Sequence, residues 1–287
     1  MIEEDGIHMN RVTSADGTSI AFDRLGDGQP VIVVGGILCD RAKTRPLAEE
    51  LAKHFTVINY DRRGRGDSGD AAPYAIEREI EDLRALVAEV GGTASVYGHS
   101  SGAGLVLHAA ADGLPAPKVV LHEPPYAPDR EEERRIAQEF AANLEPILAQ
   151  GRHGEAVELV MTTIMQMPPE IARQMRSEPW WAGMEAMAPT IAYDSEIMGD
   201  SRGGTIPIDL VGTVNTPALV LCGGASPAWM IDITKQIADA MPNGRQRILE
   251  GQEHVVPPEI LVPVLVEFFA SCWPVAARRC LAFINAR

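Results

Sequence analysis

Cysteine is scarce in this chain of 287 residues: there are four (Cys39, Cys222, Cys272 and Cys280), and none stands in C-x-x-C spacing. That speaks against the usual zinc spacings and a disulfide framework, so the thiols are expected to be reduced core residues. Basic residues are also in deficit, 25 Lys and Arg against 40 Asp and Glu, which leaves a formal charge of −15. A negative field of this kind argues against nucleic acid or an anionic membrane as partner and suits a small uncharged substrate. The chain opens Met1-Ile2-Glu3-Glu4-Asp5, without the basic n-region of a secretory signal, and no apolar run approaches membrane-spanning length. A cytoplasmic location is the expectation. Internal repeats and low-complexity tracts are missing as well.

What is present is an alternation of short apolar runs and helical patterns. The runs Ile20 to Asp23, Val31 to Val34, Phe55 to Tyr60, Thr93 to Tyr97, Val119 to Leu121, Ala218 to Leu221 and Arg247 to Leu249 read as strands. Most of these are continuously apolar, as suits strands covered on both faces. Between them, Ala75 to Val90 carries Ile76, Ile80, Leu83, Leu86 and Val87 at helical spacing. The prediction is an α/β fold, a mostly parallel sheet flanked by helices, with a helical lid inserted. The core is expected over 1–127 and 208–287. The lid is expected over 128–207, where no strand signal appears and seven of the eleven methionines fall: Met161, Met165, Met167, Met175, Met184, Met187 and Met198. With Trp180 and Trp181 they read either as the lining of an adaptable apolar pocket or as the core of the insertion itself.

The chemistry is signalled by Gly98-His99-Ser100-Ser101-Gly102 between the strand ending at Tyr97 and the small-residue helical run from Ala103. G-x-S-x-G in strand-turn-helix context is a nucleophile elbow, in which a strained turn exposes the serine hydroxyl above the sheet. A serine needs a base and a group to orient that base. Of the seven histidines, His254 follows the last strand, where such a base is expected. His99 is expected to turn its side chain from the nucleophile, His108 lies on the helix behind it, and His8, His54 and His153 have no evident partner.

With the elbow, the terminal histidine and Gly35-Gly36 after an early buried strand, the chain resembles the α/β-hydrolase superfamily over nearly its whole length. Tyr60-Asp61-Arg62-Arg63-Gly64-Arg65-Gly66-Asp67-Ser68 is similar to its D-x-R-G-x-G-x-S loop. The resemblance implies oxyanion donors at the amides of Ser101 and Ile37, with Gly36 as the alternative where the family's His-Gly pair is replaced by Gly35-Gly36. It also implies an aspartate near position 226, which here is Ser226. Two carboxylates remain for the acid, Glu123 in His122-Glu123-Pro124-Pro125 and Asp232 within a helical run, and Glu123 is favoured by its place beside the elbow strand. Ser100-Ser101-Gly102-Ala103 and His122-Glu123-Pro124-Pro125 resemble the corresponding segments of the zearalenone lactonases, whose acid is a glutamate.

Three matches are set aside. Gly64 to Gly69 satisfies G-x-G-x-x-G without opening a helix at once, His122-Glu123 lacks a second histidine and is followed by two prolines, and Arg65-Gly66-Asp67 belongs to the family loop. No metal or nucleotide cofactor is implied. The expected activity is hydrolysis of a small, apolar ester or lactone by Ser100, Glu123 and His254. The alternatives are a carbon–carbon or non-hydrolytic reaction on the same fold, or a binding protein with a vestigial triad.

Overall fold

A computed structural model describes residues 9–271. Cys272, Cys280 and His8 lie outside them. The core elements in chain order are β1 (Met9–Thr13), β2 (Ser19–Leu25), β3 (Pro30–Val34), α1 (Arg41–Leu51), β4 (Thr56–Tyr60), α2 (Ile76–Glu89), β5 (Ser95–His99), α3 (Ser101–Ala111) and β6 (Val119–His122). The inserted helices are α4 (Glu131–Ala149), α5 (His153–Leu159), α6 (Pro169–Met175), α7 (Trp181–Met187) and α8 (Ile191–Met198). The chain then returns through α9 (Ile208–Thr213), β7 (Ala218–Gly223), α10 (Ala228–Ala240), β8 (Gly244–Leu249) and α11 (Pro258–Ala270). Among the described residues no helix is long and apolar enough to cross a membrane.

The eight strands form one sheet in the order β1-β2-β4-β3-β5-β6-β7-β8, in which β2 pairs antiparallel with both β1 and β4 and the other five pairings are parallel. Alternation along β3 shows why its run is apolar throughout. Ile32 and Val34 enter one core with Leu83, Leu86 and Leu105 from α2 and α3, while Val31 and Val33 enter the other with Leu261, Leu265 and Phe268 from α11. A strand covered on both faces has no position where a polar side chain reaches water.

Two strands depart from the sequence reading. β1 alternates exposed and half-buried residues at the sheet edge, so it has no apolar run to reveal it. β8 begins at Gly244, ahead of the expected Arg247, because Arg245 and Gln246 belong to the opposite edge strand, which carries polar side chains.

The inserted helices have a core of their own, in which Phe140, Leu144, Val157, Val160, Met161, Trp181, Met187 and Ile191 pack with Leu38 from the loop after β3. Of the two readings of the methionine and tryptophan set, much of it follows the second, the core of the insertion itself. Met161, Met187 and Trp181 fill that core, Met198 packs into the sheet core, and Trp180 and Met165 are 46% and 49% exposed. Cavities of about 490 and 420 Å³ lie at the start of α5 and beside Tyr74 and Tyr193, and neither is lined by Ser100, Glu123 or His254.

Candidate active site

Strand register assembles the site. His99 pairs with His122 and His122 pairs with Leu221, so β5 and β6 end level with one another and β7 runs two residues further, to Gly223. Ser100 and Glu123 are the residues immediately past two of those ends. Their amides extend the ladder, Ser100 N to the His122 carbonyl at 2.9 Å and Glu123 N to the Leu221 carbonyl at 3.0 Å.

The elbow is as tight as its sequence requires. Ser100 has φ 56° and ψ −129° and enters α3 directly. A Cβ on Gly98 would lie 2.6 Å from the Gly102 carbonyl oxygen, and one on Gly102 would lie 2.6 Å from the Val34 and Gly35 carbonyl oxygens. Only glycine allows α3 to start against both its own strand and the end of β3.

Among the described residues four non-glycine residues have positive φ: Leu38, Ser100, Glu123 and Gln166. Three of them are Ser100 of the elbow, Glu123 at the end of β6 and Leu38 in the loop that follows Gly35-Gly36. Such conformations persist where surrounding contacts over-determine them, and they cluster at active sites.

Glu123 is 1% exposed and fully engaged. Its Oε1 accepts from the Gly223 amide at 2.7 Å and from Ser226 Oγ at 2.6 Å, with the Cys222 thiol at 3.3 Å. Its Oε2 accepts from His254 Nδ1 at 2.5 Å. Burial opposes the charge, but the hydrogen bonds from His254, Ser226 and Gly223 outweigh it and hold the carboxyl down to about 2. Ser226, at the position where an aspartate was expected, is thus the hydroxyl that anchors the glutamate arriving from the neighbouring strand end.

His254 lies on the loop after β8, steadied by the Ala225 amide donating to the Gln252 carbonyl at 2.8 Å. With Nδ1 committed to Glu123, Nε2 is the ring nitrogen left to act as a base. Ser100 Oγ and His254 form no hydrogen bond in this structure, and such contacts commonly tighten only when substrate is bound.

His99, whose side chain is expected to turn from the nucleophile, contacts His254: Nε2 donates to the His254 carbonyl at 2.9 Å and the two ring centroids lie 4.6 Å apart. Burial, reinforced by His254, lowers its pKa to about 4, so the ring is neutral and keeps the N–H it donates. His99 also packs on His122, ring centroids 5.0 Å apart and planes tilted by 56°, and His122 is buried and hydrogen-bonded with Tyr97 Oη at 2.7 Å. A histidine inside an elbow motif carries no sequence signal for this bracing, because the contact depends on a loop 155 residues away.

The loop after β3 lies against Ser100, since a Cβ on Gly36 would be 2.8 Å from Ser100 Cβ and 3.4 Å from its Oγ. Ile37 follows, half-buried against the core of the inserted helices. Asp232, on α10, is exposed and makes no contact with His254. Asp232→Asn is therefore expected to leave kcat within about twofold of wild type, as surface changes away from a site do, in a steady-state assay.

The Alpha/beta hydrolase family model matches residues 31–259. An alpha/beta hydrolase structure from Sphaerobacter thermophilus is 50% identical at a TM-score of 0.81, over 91% of this chain and 100% of that one. An esterase from Thermogutta terrifontis, 24% identical, has the same fold at a TM-score of 0.68 over 92% and 98% of the two chains. Among curated proteins, the (E)-2-((N-methylformamido)methylene)succinate hydrolase of Acinetobacter baylyi is 24% identical over 255 residues, 86% of this chain and 91% of its own.

Proposed function

The chain belongs to the alpha/beta hydrolase family, and from that premise we propose that it is a serine hydrolase cleaving a carboxylic ester or lactone through an acyl-enzyme on Ser100. The observation that carries this reading is the buried Glu123 carboxylate bonded to His254 Nδ1 beside a strained Ser100. Ser100 Oγ attacks the carbonyl carbon as His254 Nε2 takes its proton. His254 then returns the proton to the leaving oxygen, and water repeats the sequence to release the acid. Glu123 stabilises the imidazolium between these steps. The Ser101 and Ile37 amides donate to the oxyanion.

A second reading has one observation in its favour, the Acinetobacter baylyi relative whose name gives a formamido-methylene succinate as substrate. Both readings use the same acyl-enzyme, and substrate preference separates them. The test is a panel of p-nitrophenyl esters of increasing acyl length, aliphatic and macrocyclic lactones, and N-formyl enamides.

Ile37 and Leu38 continue the loop that abuts Ser100 and pack into the apolar core of the inserted helices. Longer acyl chains are therefore expected to raise kcat/KM over acetate, by up to roughly fourfold per methylene buried, the equivalent of about 0.8 kcal/mol. A preference for acetyl or charged acyl groups would contradict the apolar-substrate reading. Efficient turnover of enamides alone would favour the second.

A further inference from the structure

The loop between β4 and α2 carries three arginines, Arg62, Arg63 and Arg65, whose side chains are almost completely buried. Arg63 is matched within the core by Asp16 and Asp82. Arg62 and Arg65 instead share a carboxylate from the insertion, Asp194 of α8. Its Oδ1 accepts from Arg62 at 2.6 Å and its Oδ2 accepts from Arg65 at 2.6 Å, while Arg62 also holds Glu79 at 2.7 Å.

Beyond this charge balance, both guanidiniums reach the loop beside the nucleophile. Arg65 donates to the Gly36 carbonyl at 2.5 Å and to the Cys39 carbonyl at 3.2 Å, and Arg62 donates to the Gly35 carbonyl at 3.4 Å. A trans peptide is planar, so the carbonyl of one residue and the N–H of the next point in opposite directions. Fixing the Gly36 carbonyl on Arg65 therefore fixes the Ile37 N–H. Asp194 touches the other donor residue as well, because Ser101 Oγ donates to its Oδ1 at 2.7 Å. Thr190, just before α8, completes the arrangement by accepting from Arg65 at 3.1 Å.

We infer that Asp194 is a positioning residue for the oxyanion site: through Arg65 and Arg62 it sets the peptide planes of the Gly35-Gly36-Ile37 loop, and through Ser101 it holds the first residue of α3. This rests on the reading of Ile37 and Ser101 as oxyanion donors. It makes α8 part of the catalytic geometry as well as a cover. Burial works against the Asp194 charge, but the two guanidiniums and the Ser101 hydroxyl prevail and keep its carboxyl below the ordinary range. An ionised Asp194 is what the two arginines require.

The test uses the full chain, a p-nitrophenyl ester and a trifluoromethyl ketone, which serine converts to an oxyanionic hemiketal and which therefore reports on the donors directly. Breaking a buried ion pair on one side leaves an uncompensated charge and can unfold a protein. The main variant is therefore the double replacement Arg65→Met with Asp194→Asn, after which Arg62 still has Glu79. Expected are a fall in kcat of about 10²-fold, the scale of one lost oxyanion donor, a comparable weakening of ketone binding, and little change in KM. Ser101→Ala, which removes one hydrogen bond and keeps the amide, is expected to show the same pattern several-fold smaller, and it serves where the double variant does not fold. Folded variants with wild-type kcat and ketone affinity would overturn the positioning role, as would lower kcat with unchanged ketone affinity. A wild type that neither turns over esters nor binds the ketone would overturn the hydrolase reading itself.

Discussion

Ser100→Ala is expected to reduce ester turnover by roughly 10⁶-fold, the scale on which removal of a triad nucleophile leaves only binding and oxyanion stabilisation. The hydroxyl removed lies on a turn whose shape is set by Gly98, Gly102 and the β5 to β6 ladder, none of which involves the serine side chain. The variant should therefore fold normally, and steady-state kinetics on purified protein with a matched circular dichroism spectrum checks both statements. His254→Ala is expected to be about as severe, because residues acting as a unit do not contribute additively. Substantial turnover by either folded variant would contradict the acyl-enzyme mechanism.

The second large effect concerns the acid. Glu123→Gln keeps the shape of the side chain and removes the charge, and its amide group can present a donor where His254 Nδ1–H needs an acceptor. A loss in kcat of roughly 10³- to 10⁴-fold is expected, as when the acid of a comparable triad is neutralised. The carboxylate it replaces is anchored by Gly223, the last residue of β7, and by Ser226 in the loop that follows. Adding Ser226→Asp to Glu123→Gln should restore part of the loss, since a carboxylate from either strand end approaches the same imidazole. A nearly silent Glu123→Gln together with a damaging Asp232→Asn would overturn the assignment of the acid.

The parts of this molecule that could be read from its sequence are those whose physics is local. The apolar runs of β3, β4 and β7 announce strands buried on both faces, and Ile80, Leu83, Leu86 and Val87 announce the buried face of α2. The elbow likewise carries its own strand, turn and helix. Glu123 reads as the candidate acid by its place after β6 and by the resemblance to the zearalenone lactonases, and register shows what it meets: the residue past His122 lies beside the end of β7.

What could not be read is what depends on distant chain segments meeting. β1 is an edge strand defined by pairing with β2, without an apolar run. His99 looks like an interchangeable elbow residue until the loop carrying His254 returns to accept its hydrogen bond. Arg62 and Arg65 read only as part of the D-x-R-G-x-G-x-S-like loop, and nothing near them in the chain predicts that Asp194, 129 residues beyond Arg65, pairs with them in the core. Trp180 and Trp181 are adjacent and identical in type, yet one is exposed and the other packed, because a helix gives neighbouring residues different faces. Composition leaves a pocket lining and an insertion core both open; packing assigns Trp181 to the core of the inserted helices and leaves Trp180 at the surface.

The central claim is that Ser100 is a nucleophile activated by His254 and Glu123, and active-site labelling addresses it without knowledge of the natural substrate. A fluorophosphonate probe is added to wild type, Ser100→Ala and Glu123→Gln, and the adduct is located by peptide mapping with its rate of formation recorded. The account predicts one adduct on Ser100 in wild type, none in Ser100→Ala, and markedly slower labelling in Glu123→Gln. Folded wild-type protein that takes up no probe, or takes it up on another residue, would contradict it.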